Sequence, residues 1–161
     1  MPSLSPEVRI VPAQSPEDVS SIRELFQEYQ LSLNLDLEFQ HFSHELATLP
    51  GACAPPRGRL LLGLINSEVA GCIALRPLSG ETCERLFVRP AYRGFGLGYR
   101  LCAAVISEAR SIGYTRMVLD TLPFMKDAQA MYERFGFHDI EPYTFNPVPG
   151  ARFMALELGG A

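Results

Sequence analysis

No stretch of this sequence approaches the roughly 18 consecutive apolar residues that a membrane-spanning helix needs. No stretch gathers lysine and arginine into the cluster that holds a phosphate backbone either, and the formal net charge is −4 at pH 7. Neither a membrane nor a nucleic acid is therefore expected as a partner. The opening MPSLSPEVRI has no basic region followed by an apolar core, which makes a cytoplasmic protein the expectation. Cysteine is sparse and scattered. Cys53, Cys72, Cys83 and Cys102 form no C-x-x-C pair, and no histidine stands at ligand spacing, so no metal site is expected. Three of the four fall in strand-like or helical stretches and read as small core residues. Repeats, low-complexity tracts and linkers are also missing, which leaves one domain over residues 1–161. A chain of this length buries roughly 70% of the surface its unfolded form exposes, and with 47% hydrophobic and 20% charged residues its composition is that of an ordinary globular protein.

What the sequence does contain is a readable order of elements. EVRIVPA reads as a strand, and Ser15, Pro16, Glu17 and Asp18 then supply an N-cap, a proline for the first helical position and carboxylates for the positive end of the dipole. Val19, Ile22, Phe26, Tyr29 and Leu33 recur at helical spacing and give that helix an apolar face. A second helix is predicted over residues 37–49, where Leu37, Phe39, Phe42, Leu46 and Leu49 are apolar and Pro50-Gly51 ends the run. GACAPPRG is a loop.

RLLLGLIN, EVAGCIALRPL and ETCERLFVRP are three strands, and the short connections at Asn66-Ser67 and Ser79-Gly80 make them an antiparallel meander. Residues 97–112 read as a helix with Gly113 as its C-cap, RMVLDT as a strand, and KDAQAMYERF as a helix stopped at Gly136. GFHDI is a short strand candidate. In ARFMALEL the two-residue period makes Met154, Leu156 and Leu158 the inward set.

The junction VRPAYRGFGLGYRL carries the chemistry. It ends a strand and starts a helix, and places Gly94, Gly96 and Gly98 directly after Arg93. Glycines let a ligand approach the backbone closely, while the first N–H groups of a helix lack intrahelical partners and stand at its positive end. Arg93 adds a forked cationic donor suited to phosphate oxygens. The stretch therefore reads as an anion cradle. A tight corner alone would need glycine, but it would need neither the arginine nor open helix N–H groups.

Three phosphate ligands compete for such a cradle. A P-loop requires Gly-Lys-Ser/Thr, and Tyr99-Arg100 stands in that place. A dinucleotide fingerprint requires G-x-G-x-x-G near the first strand of a βαβ unit, whereas this spacing is G-x-G-x-G after a meander, although Asp120 at a strand end resembles the ribose-binding acid. The third ligand is the pyrophosphate of coenzyme A. Here the sequence closely resembles the GNAT family of N-acetyltransferases, whose signature is Arg/Gln-x-x-Gly-x-Gly/Ala between a meander strand and a helix. Arg93, Gly96 and Gly98 match it, RMVLDT and AQAMYERFGF resemble the family's later blocks, and the resemblance runs over about residues 9–158.

The resemblance implies an α/β fold of the GNAT acyl-CoA N-acyltransferase type, a single mixed central sheet with an antiparallel meander and flanking helices. It implies acetyl-CoA as the donor cosubstrate, no metal, and direct acetyl transfer to an amine in a ternary complex. By that likeness the cradle is Arg93, Gly94, Phe95, Gly96, Leu97, Gly98 and Tyr99, and the main chain of Leu86, Phe87 and Val88 pairs with the pantetheine arm where that strand parts from RMVLDT. Tyr132 matches the family's tyrosine in the helix before GF, and its phenol is suited to donate to the leaving sulfur. Many members carry glutamate where this chain has Thr82; Glu84, on the same strand face, or Glu81 at the turn would then be the base, with Glu84 favoured. Many also place asparagine where Met125 stands, so pantetheine contacts pass to Lys126 or Asp127.

The acceptor pocket is expected from the first two helices and the loop before the last strand. Tyr143, Phe145, Asn146 and Arg152 are candidates to line it, with Arg152 suited to an acceptor carboxylate, and Glu28, Asp36 and Glu38 to receive a cation. His41, His44 and His138 have no recognisable partner and read as structural or exposed. The acceptor is expected to be a small-molecule amine, amino-acid-like in type. A coenzyme A-binding regulatory domain without catalysis, which Thr82 keeps open, and a protein acceptor are the alternatives. A homodimer is common in the family.

Overall fold

The computed structural model describes residues 6–33, 42–78, 80–144 and 146–159. Strand β1 (Val8–Pro12) leads into helix α1 (Pro16–Leu33), and Ser15 caps it reciprocally. Ser15 Oγ accepts from the Asp18 N–H at 3.1 Å, and Asp18 Oδ2 accepts back from the Ser15 N–H at 3.4 Å. The expected apolar stripe is present, with Leu25 added to it: Ile22, Leu25 and Phe26 have no exposed surface, and Val19, Tyr29 and Leu33 flank them. Within the described residues the second helix is α2 (Phe42–Thr48). Leu37 and Phe39 of the expected run lie outside them. A single 3₁₀ turn over Gly51–Cys53 begins the segment read as a loop.

The three strands that follow are β2 (Arg59–Ile65), β3 (Glu68–Leu78) and β4 (Glu81–Val88), paired as an antiparallel meander. Helix α3 (Leu97–Ile112) crosses to β5 (Arg116–Thr121), which lies parallel to β4. Helix α4 (Lys126–Phe135), the two-residue β6 (His138–Asp139) and β7 (Arg152–Glu157) complete the chain. The seven strands form one mixed sheet in the order β1-β2-β3-β4-β5-β7-β6. Among the described residues, no helix is long and apolar enough to cross a membrane.

Each face of the sheet carries its own core. Leu97, Leu101, Val105 and Ile106 of α3 and Met131 and Tyr132 of α4 pack with Ile73, Leu75, Met117 and Leu119 on one face. On the other, the α1 stripe meets Leu60, Leu62, Cys72 and Phe87. All four cysteines are buried and free, as small core residues are. Met154, Leu156 and Leu158 join the α3 side as their period implies, but Phe153 and Ala155 are buried too, at 8% and 0% exposure. β7 lies between β5 and β6 with cover on both faces, and such a strand loses its polar alternation.

One close approach fixes the strand that carries the site. A Cβ on Gly71 of β3 would stand 2.6 Å from the Phe87 carbonyl oxygen and 3.1 Å from Val88 Cα, so β3 and β4 could not keep their spacing. Gly71→Ala is expected to lower stability by about 1–3 kcal/mol, read as a lower urea midpoint at unchanged slope.

Candidate active site

β4 and β5 are parallel neighbours that share only two residue pairs, Thr82 with Met117 and Cys83 with Val118. β4 continues to Val88 and β5 to Thr121, so beyond those pairs the strands part. The opening is a cleft of about 310 Å³ that reaches both faces of the sheet. On the α3 and α4 side it is walled by Glu84, Leu86, Met125, Ala128 and Tyr132. On the α1 side stand Tyr29, Arg76, Arg85, Asp120 and Tyr143.

Glu84 and Tyr132 meet inside this opening, where the Tyr132 hydroxyl donates to the Glu84 carboxylate. Removal from water pushes Glu84 up from 4.5 to about 7; the tyrosine hydrogen bond and Arg85 oppose the shift, and the Asp120 charge adds to it. Its Oε2 is buried and accepts no hydrogen bond from the described residues. Tyr132, 5% exposed, is pushed well above 10, first by burial and then by the neighbouring Glu84 charge, so it stays a neutral donor. Near neutrality the pair thus holds one carboxylate able to gain or lose a proton and one hydroxyl able to give a hydrogen bond. Glu81 is placed differently: it pairs with Arg116 at 3.5 Å and does not line the cleft. Thr82 is fully buried, and its hydroxyl donates to the Arg76 carbonyl at 2.8 Å.

The glycine turn follows β4 and packs beside Leu86, one of the residues that wall the cleft. Gly94 and Gly96 have φ of +91° and +78° with open space where a Cβ would be, so the backbone conformation, not crowding, calls for glycine. Gly96 caps α3, and the first backbone bond within the helix runs from the Arg100 N–H to the Gly96 carbonyl at 3.1 Å. The N–H groups of Leu97, Gly98 and Tyr99 therefore have no acceptor within the helix, and no side chain caps it among the described residues. Gly98 sits over Leu86 and Val88, with side-chain carbons at 3.9 and 3.8 Å from the place of a Cβ. These features fit a pyrophosphate with an extended arm running onto β4.

Other named residues fall where the pattern alone did not put them. Leu97 is 1% exposed and its side chain belongs to the core, so only its N–H faces the turn. Phe87 is buried against Tyr29 on the α1 face, ring centroids 5.7 Å apart, which leaves its main chain alone for a ligand. Leu86 and Val88 lie half-buried on the α3 side. Phe95 and Tyr99 are exposed, and Tyr99 stacks on Phe135 at 4.6 Å. Arg93 donates from Nε to the Val88 carbonyl at 3.1 Å. At the start of α4, Met125 and Ala128 form the cleft wall, while Lys126 and Asp127 project to solvent, because the helical phase turns them away.

The expected acceptor pocket needs the larger correction. Arg152 is not in the cleft: its Nε and Nη2 each lie 2.9 Å from an oxygen of Asp139, and Nη1 lies 3.0 Å from Glu133. Glu28 is held by Arg89 at 2.7 Å. Tyr143 does line the cleft, edge-on to Phe153, and Asn146 donates to Asp120 Oδ2 at 2.9 Å. His44 and His138 are exposed. Asp36, Glu38, His41 and Phe145 lie outside the described residues. No three His, Cys, Asp or Glu side chains cluster to hold a metal among the described residues.

Arg76 and Arg85 are cleft residues that the sequence pattern did not single out, and Asp120 reads there only as a likeness to a ribose-binding acid. For Arg76 the signal is a lone charge inside the apolar run GCIALRPL, whereas Arg85 follows Glu84 in CERLFV and carries no such signal. Arg85 pairs with Glu45 of α2 at 3.0 Å, both side chains mostly buried, which ties that helix to the cleft wall.

Residues 19–137 match the model of the Acetyltransferase (GNAT) family. An uncharacterised N-acetyltransferase of Schizosaccharomyces pombe is 37% identical over 155 residues, covering 94% of this chain and 95% of its own. A GNAT-family acetyltransferase from Staphylococcus aureus has a TM-score of 0.78 at 21% identity, over 95% of this chain and 100% of that one. A Salmonella typhimurium structure solved with its cofactor acetyl-CoA has a TM-score of 0.69 at 21% identity, over 96% of this chain and 95% of its own. A mixed sheet parted between two parallel strands, shared at this level with such structures, defines the GNAT acyltransferase fold. The chain belongs to the GNAT family of N-acetyltransferases.

Proposed function

We propose that this protein moves the acetyl group of acetyl-CoA to the amine of a small, amino-acid-like acceptor by direct transfer with both bound together. The observation that carries this reading is the Tyr132 hydroxyl bonded to a Glu84 carboxylate, held near neutral pKa, inside the opening between β4 and β5. Perturbed groups of this kind in a cleft are what proton-transfer chemistry uses.

The free N–H groups of Leu97, Gly98 and Tyr99, with Arg93, hold the pyrophosphate, and Gly94 and Gly96 keep the turn open to it. The main chain of Leu86 to Val88 lies along the pantetheine arm. Acetyl-CoA supplies an activated acyl group: its C–S bond breaks as the C–N bond forms, and an ammonium acceptor loses two protons, one to the solvent and one ending on the thiol. Glu84 takes the first of these, which frees the acceptor lone pair, and Tyr132 donates to the sulfur as it leaves. Thr82, with its hydroxyl spent on the Arg76 carbonyl, takes no part in proton transfer. Glu84 supplies the carboxylate two residues further on, so the regulatory-domain reading has no observation of its own.

Calorimetric titration with acetyl-CoA, beside adenosine diphosphate as a control lacking the pantetheine arm, tests the assignment. Micromolar binding that requires the arm is expected, and Arg93→Glu is expected to weaken it at least about tenfold by opposing the phosphate charge. Folded protein that binds no acetyl-CoA would remove the proposed function.

A further inference from the structure

The cleft holds two guanidinium groups of unequal standing. Arg85 is neutralised by Glu45 at 3.0 Å. Arg76 is half-buried, and among the described residues it forms no ion pair. The part of the Arg76 charge that is withdrawn from water carries a cost that an anionic partner would offset.

Its position shows where a partner would come from. Arg76 borders both the 310 Å³ cleft and a second cavity of about 180 Å³ beneath α2, which His44, Glu45 and Thr48 also line. Its charge acts on Tyr143 and Cys83 at the cleft and on Cys53 at the second cavity, lowering all three against the larger upward effect of burial. In the β3–β4 register Arg76 faces Cys83 and Leu75 faces Glu84. Arg76 is thus one strand over and one step along from Glu84, roughly 6 Å between main chains from ordinary strand spacings. Their side chains point to opposite faces of the sheet but line the same opening beside β4, so a small molecule whose amine stands at Glu84 can bring a second group to the guanidinium by passing through that opening. The carboxylate of Asp120, held by Asn146, lies on the same α1 side and favours a cation beside it.

We propose that Arg76 is the specificity-determining residue of the acceptor half of the cleft, and that it holds the carboxylate of a small aminocarboxylate whose amine is acetylated. This deepens the acetyltransferase reading and rests on it. Arginine suits the task, since its planar fork meets a carboxylate with two parallel hydrogen bonds. The inference also reassigns the carboxylate-binding role expected of Arg152, whose fork is filled by Asp139.

The test is a rate comparison with acetyl-CoA as donor. The acceptors are the common α-amino acids with β-alanine and γ-aminobutyrate, each set beside its own carboxamide. At least one acid is expected to exceed its carboxamide about 10- to 100-fold in kcat/KM, the range of a charge-assisted hydrogen-bond pair. In Arg76→Gln the ratio is expected to fall to near unity, mostly through KM of the acid, while Arg76→Lys recovers part of it. Arg76→Met serves if the glutamine variant does not fold, and calorimetric acetyl-CoA affinity within about twofold of the parent shows that the donor half is intact in either. A wild-type ratio near unity, or one that survives loss of the guanidinium, overturns the proposal. So does transfer to none of these acceptors by protein that binds acetyl-CoA. Failure to bind acetyl-CoA at all would instead strike the acetyltransferase reading and take this proposal with it.

Discussion

Tyr132→Phe is expected to lower kcat by about 100- to 1,000-fold, the usual contribution of one positioned proton donor, while acetyl-CoA affinity changes little. The state of the hydroxyl sets this role. Burial and the adjacent Glu84 charge hold it neutral at any working pH, so it acts as a donor and never as a base. In the resting site its hydrogen bond goes to Glu84. Once Glu84 has taken the proton of the acceptor, that carboxyl no longer attracts the phenol as an anion does, and the hydroxyl is released towards the sulfur. One hydrogen bond thus serves two steps in succession.

A purely structural tyrosine would behave differently in the same variant. Loss of the hydroxyl removes the hydrogen bond that lowers Glu84 against the effect of burial. The acidic limb of the rate profile is therefore expected to move to higher pH in Tyr132→Phe. A variant that loses stability but keeps both kcat and the position of that limb would assign Tyr132 to the core alone. Pre-steady-state thiol release measured beside calorimetry separates the chemical step from binding.

The parts of the site that were legible in the sequence are those set by local rules. Gly94 and Gly96 stand where the chain turns through positive φ, and Gly113 and Gly136 close α3 and α4 because each helix ends on a residue free to adopt that conformation. The two-residue period put Glu84 on the cleft face of β4. What stayed hidden depends on partners distant in the chain. Nothing local in RPLSGETCERL says that Arg85 meets Glu45 of α2 while Arg76 has no ion-pair partner among the described residues, since the β3–β4 register and the docking of α2 decide both. Arg152 reads as a pocket residue because Asp139 and Glu133 reach it only after β6 has paired with β7 and α4 has packed beside them. Leu97 sits inside the glycine motif and so reads as part of the cradle, yet the phase of α3 turns its side chain into the core.

Glu84→Gln carries the other large effect, and it acts on rate and stability in opposite directions. As a base, Glu84 must be ionised, so kcat/KM of the parent protein is expected to rise with pH through an apparent pKa of about 7 and then level off. The glutamine variant should lose that limb along with about 100-fold or more of the rate at pH 8. On the stability side, the raised value means that the folded protein holds this proton more tightly than the unfolded chain, whose glutamates titrate near 4.5. The stabilising contribution is fully present below the unfolded value, declines as pH rises towards about 7, and is gone above it. An ionised, half-buried carboxylate at pH 8 therefore strains the fold, and the amide does not. Relative to the parent, Glu84→Gln is expected to gain about 2 kcal/mol more at pH 8 than at pH 4, a figure discounted for the partial exposure of the residue. Urea unfolding at the two pH values measures the difference. A gain of the same size at both would mean that Glu84 ionises as freely in the folded protein as in water, and the base would then have to be sought elsewhere in the cleft.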